Sequence, residues 1–81
     1  MQDLTEKNLL KQVDETVELA SELGDQWVGT LIGRILDNER DNLLYIVKEH
    51  NLELASVAVL NLAMTCQHAE NELKKVEEAS V

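Results

Sequence analysis

Apolar positions along this chain fall at helical spacing, in three well-marked stretches and one ambiguous join. In the first, Leu10, Val13, Val17 and Ala20 step by 3 and 4 and are widened by Leu9 and Leu23, which predicts an amphipathic helix. Asp3, three residues before Glu6, supplies a capping-box-like start, and Gly24 is a natural left-handed stop. Asp25 then stands where it can cap a second helix, whose apolar face is Trp27, Val28, Leu31, Ile32, Ile35 and Leu36.

The join follows. Residues 37–42 (DNERDN) are all polar, which fits either an exposed bend or the outer face of one continuous helix. Leu36 and Leu43 stay in phase across it, yet Glu39 or Arg40 would set a charge on the stripe between them. A break over Asn38–Asp41 is therefore expected, followed by a short helix carrying Leu43, Leu44, Ile46 and Val47.

His50-Asn51 reads as the next corner, with Asn51 capping the last helix. From there Leu52, Ala55, Val59, Leu62, Cys66, Ala69, Leu73, Val76 and Ser80 alternate steps of 3 and 4, a heptad-like seam. Up to Met64 the other faces are apolar too, through Leu54, Val57, Ala58, Leu60 and Ala63. Beyond it only the seam stays apolar, with Glu70, Lys74 and Glu78 as an i,i+4 ladder facing solvent. The pattern predicts an all-α fold: a single domain over residues 1–81, a bundle of three to four helices ending in a long heptad-patterned one.

Length makes self-association part of the expectation. A helix from 52 to 78 spans about 40 Å, whereas a compact chain of this size is roughly 30 Å across. The overhanging seam needs cover, from the first helix of the same chain or from a second copy. Apolar burial of about 125 kcal/mol against an ordering cost of about 120 kcal/mol leaves a lone chain marginal. A homodimer is expected, with Cys66, Ala69, Leu73 and Val76 at or near its interface.

Composition narrows the chemistry. Sixteen acidic residues against seven Lys and Arg give a formal net charge of −9, which argues against direct binding of nucleic acid and for a protein partner with a basic or apolar surface. The single cysteine, Cys66, excludes an intrachain disulfide and suits a reducing compartment. The polar start MQDLTEKNLL has no signal-peptide pattern, and the most apolar run, 52–64, is too short to span a bilayer, so a cytoplasmic protein is expected.

Catalytic and metal-site patterns are missing: there is no P-loop, no G-x-S-x-G and no H-E-x-x-H. His50 and His68 are far apart, and the two-residue step from Cys66 to His68 points them to different helix faces. Residues 45–62 loosely resemble a helix-turn-helix in apolar spacing. The positions that would meet DNA, Glu53, Ala55, Ser56, Ala58 and Val59, include no Lys or Arg, so no DNA-reading role follows.

Two features suit binding. Glu15, Glu18, Glu22 and Asp25 share one face of the first helix, within a third of the chain that carries seven acids against two bases. Trp27 is the only tryptophan and is followed by Gly29 and Gly33, so it suits either the end of the core or an interface anchor. The expected function is that of a small acidic helical module, neither an enzyme nor a cofactor carrier, that binds and modulates another protein, as phage- or plasmid-type inhibitors do. The alternatives are an acidic mimic that occupies a nucleic-acid-binding groove and a structural subunit of a larger assembly.

Overall fold

The computed structural model describes residues 2–80, with their side chains over 6–79, and shows three helices: α1 (Gln2–Gln26), α2 (Leu31–Lys48) and α3 (Leu52–Ser80). Each helix touches the other two. The C-terminal turns of α1 and α3 lie side by side, so these two run in the same direction with α2 returning between them. The side chains of Asp3 and Ser80, invoked above as a cap and as the end of the seam, lie outside the described residues.

The core is narrow. Val13, Ala20 and Leu23 of α1 meet Leu36 and Leu43 of α2 and Ala55, Val59, Leu62, Cys66 and Ala69 of α3, all buried. The last five lie on the seam read from the sequence. Because three long helices share this one seam, the molecule measures 50 × 22 × 15 Å. Its radius of gyration is 14.0 Å, against about 12 Å for a compact chain of this length. α3 overhangs no globule: α1 lies along it and supplies the cover within the same chain.

Residues 37–42 do not break the helix, contrary to the expectation above. α2 runs through them, with Leu36 and Leu43 both at 0% exposure on its inner face. The two charges that argued for a bend leave the stripe sideways. Glu39 accepts a hydrogen bond from the Thr65 hydroxyl of α3 at 2.6 Å, and Arg40 lies 3.4 Å from Asp37 and 3.2 Å from Asp41. The polar run is part of one continuous helix, with Glu39 turned toward α3 and Asp37 and Asp41 exposed.

The first corner also sits later than expected. Gly24 is buried inside α1, where an added Cβ would come 3.0 Å from Asp37 Oδ1, and α1 continues to Gln26. Asp25 is thus a residue of α1 and not the cap of α2. That cap is Thr30, with extended backbone (φ −110°, ψ 166°), whose hydroxyl accepts from the Gly33 N–H at 3.1 Å and donates to the Trp27 carbonyl at 2.6 Å. Trp27 and Val28 belong to the turn, and Gly29 takes the left-handed position (φ 81°) that lets the chain reverse. Gly33 is required because a Cβ there would run into the Trp27 carbonyl oxygen.

The second corner is where the sequence places it. His50 adopts φ 58°, its N–H donates to Val47 O at 2.9 Å, and the Asn51 N–H donates to Ile46 O at 3.2 Å. These two bonds form a Schellman motif with histidine where glycine is usual. Asn51 then caps α3, its Oδ1 accepting from the Leu54 N–H at 3.1 Å. One residue closes one helix and opens the next.

These corners generate opposite mutational outcomes in chemical denaturation. Gly33→Ala should destabilise the fold by about 2–3 kcal/mol, since the clash is with backbone that cannot rotate away. His50→Gly should stabilise it by about 0.5–1 kcal/mol by relieving a left-handed conformation at an exposed position.

Candidate partner-binding groove

Between the final turns of α1 and α3 the surface dips into an open groove of about 300 Å³. Its apolar lining is Leu19 and Leu23 from α1 and Leu73 from α3. Glu22 of α1 and Glu70, Lys74 and Glu77 of α3 stand around it, with Gln26 at the end. Three carboxylates against one ammonium make the rim net negative beside an apolar floor. The parallel course of α1 and α3 explains the arrangement: each turns its i,i+3,i+4 edge toward the other.

The acidic face read from the sequence is partly at this groove. Glu15, Glu18, Glu22 and Asp25 are all exposed on α1, but only Glu22 lines the depression, and the other three form a strip on the outward side. Trp27 is half-buried against the core cluster, and its indole nitrogen is buried without a hydrogen-bond partner among the described residues. Leaving such a donor unpaired costs on the order of 1–3 kcal/mol. Packing of the ring against the core holds it in place, as expected of a residue that closes the end of a bundle.

Of the residues expected at a dimer interface, Cys66 and Ala69 are 1% and 0% exposed inside the chain's own core and offer a second copy no surface. Leu73 is half-buried and lines the groove, while Val76 is exposed near the end of α3. The seam is consumed within one chain over most of its length because α1 covers it.

Glu70, Lys74 and Glu77 were not singled out as binding residues from sequence. Glu70 and Lys74 read as part of a solvent-side ladder, whereas Glu70 is in fact half-buried at the α1 boundary. The ion pair formed on this part of α3 joins Lys75 to Glu72 at 3.3 Å. The usable signal was the co-termination of two parallel helices, which brings Leu73 level with Leu19 and Leu23.

Chemistry elsewhere is sparse. Among the described residues no group of three or more His, Cys, Asp and Glu side chains is placed to hold a metal ion. His68 is exposed on α3 and His50 sits at the corner described above. Among the described residues no helix is long and apolar enough to cross a membrane. No protein-family model matches the chain, and no curated protein or solved structure is significantly similar to it.

Cys66 is held as a neutral thiol. Burial pushes its pKa up to about 11, and the nearby carboxylates of Glu70 and Glu39 push in the same direction. The native thiol should therefore resist an aromatic disulfide reagent at pH 8 and react only at the rate of unfolding. A raised native pKa means that the folded chain keeps its proton while the unfolded chain loses it between about pH 9 and 11. Stability from this group is complete below pH 9 and should fall by up to about 1.4 kcal/mol per pH unit above it. Denaturation of Cys66→Ala across that range should lack this component of the slope.

Proposed function

We propose that this protein is a protein-interaction module that modulates, as an inhibitor or accessory regulator, a partner bearing a basic segment with an apolar anchor, and that the α1–α3 groove receives that segment. The observation that carries the reading is the combination of an apolar floor at Leu19, Leu23 and Leu73 with a rim of Glu22, Glu70 and Glu77. An apolar side chain entering the groove loses water, while flanking Lys or Arg residues meet carboxylates from two helices at once. The remaining negative charge of α1 steers such a partner toward this end of the molecule.

A second reading draws on Glu15, Glu18 and Asp25. With Glu22 they form an exposed strip about 15 Å long, a spaced row of negative charges suited to a nucleic-acid-binding surface. In that case the carboxylates alone would carry the affinity and the leucines would be idle.

Titration with a synthetic amphipathic Lys/Leu helix separates the two. For the groove, replacing Glu22, Glu70 and Glu77 together by Gln should weaken binding at least tenfold and flatten its salt dependence. Replacing Asp41, Glu49 and Glu53, which removes the same charge elsewhere, should change it less than threefold. Equal losses from both triple variants would show undirected charge attraction and end the groove reading. A loss confined to Glu15, Glu18 and Asp25 variants would favour the mimic.

A further inference from the structure

The outward face of α3 is built unlike the rest of the surface. Between Glu53 and Glu70 the sequence holds no Asp, Glu, Lys or Arg, in a chain where 28% of residues are charged. On that stretch the inner face is the core seam, yet the outer face is apolar as well: Leu54, Val57, Leu60 and Met64 are 53%, 54%, 57% and 71% exposed. Val57, Leu60 and Met64 step by 3 and 4 and, with Glu53 before them and Gln67 and Asn71 after them, form a second heptad stripe on the side of the helix opposite the first.

We propose that this stripe is the docking surface for a second copy of the chain, pairing α3 with α3 in antiparallel fashion across a two-fold axis close to Leu62. The charge distribution selects the occupant. A basic partner finds nothing to pair with along the stripe, whereas two copies with a net charge of −9 each can approach here without setting like charges against one another. Antiparallel pairing also sends the acid-bearing last turns, with Glu70, Glu72, Glu77 and Glu78, to opposite ends of the pair. Parallel pairing would stack them. In the antiparallel register Leu60 of each copy meets the partner copy's methionine of the same stripe, and Glu53 ends opposite a neutral asparagine.

The area available is modest. A standard interface covers about 800 Å² per partner. A single-helix strip covers less than that, so the pair should be weak and dependent on concentration. The groove proposed above lies against α1, on another side of α3.

The test is sedimentation equilibrium of the full chain over a range from about 1 μM to 500 μM, a window set by the modest size of the strip. The mass should rise from monomer toward dimer. Leu60→Glu, at an exposed position that leaves helicity unchanged, should move the midpoint upward at least tenfold, while Leu31→Glu on α2 should not move it. A monomer throughout would overturn the proposal. So would a dimer indifferent to Leu60→Glu, or one dissolved by Val76→Glu alone, which would return the interface to the end of the inner seam. Orientation is read separately by placing a nitroxide at Lys75 in Cys66→Ala. Antiparallel helices should hold the two labels about 40 Å apart, whereas parallel ones would bring them within about 20 Å and overturn the antiparallel arrangement.

Discussion

Close approach of three helices along a single line of small and medium side chains governs the rest of this structure. Ala20, Ala55 and Ala69 let backbones come near, and Leu36, Leu43, Val59, Leu62 and Cys66 fill what remains, with no aromatic ring among the fully buried residues. A core one seam wide can grow only along its axis, so added residues lengthen the bundle without thickening it. The extents of 50 × 22 × 15 Å follow from that, as does a surface larger than a rounder chain of equal mass would show. Thinness also decides where function can sit. In a bundle this thin, the α1–α3 groove and the outer helix faces are the candidate surfaces for recognition.

The inner seam of α3 was legible because burial there is decided by one helix's periodicity, and five of its positions are buried as the spacing requires. The Asn51 corner was legible for a similar reason: the cap is a local hydrogen bond between the Asn51 side chain and the Leu54 N–H. The readings that failed were ones in which a neighbouring helix intervenes. Glu39 looked like a charge stranded on an apolar stripe until Thr65, 26 residues away, supplied a hydrogen bond. Gly24 looked like a stop, yet its lack of a side chain accommodates Asp37 from α2, and the reversal is made instead by Gly29 and Thr30. A glycine's role depends on what approaches it, and that is invisible in one-dimensional spacing.

The same distinction explains how the candidate groove was half seen. Glu22 stood out as part of a dense acidic face on one helix, but Glu70 and Glu77 reach the same place from residues about fifty positions later. Only the parallel course of α1 and α3 joins them. Conversely, Cys66 and Ala69 were assigned to a second copy because an isolated α3 seemed too long for its own body. Once α1 is seen to run beside it, the need disappears on the inner side and the unsatisfied apolar surface is found on the outer one.

Charge is segregated along this bundle, and the segregation matters more than the total. On α2 the acids Asp37, Glu39 and Asp41 are matched in number by Arg34, Arg40 and Lys48, with Arg40 lying between Asp37 and Asp41, and such exposed pairs add little to stability. On α1 the acids face water without matching bases, and the middle of α3 carries none at all. A uniformly spread charge of −9 would oppose any like pairing and would give a basic ligand no preferred point of entry. Confined to one edge and one end, the same charge leaves a neutral strip on which copies can meet and a negative groove on which something basic can settle. The two proposed recognition events are then compatible on a chain of 81 residues, because the field that would steer one is weak along the strip proposed for the other.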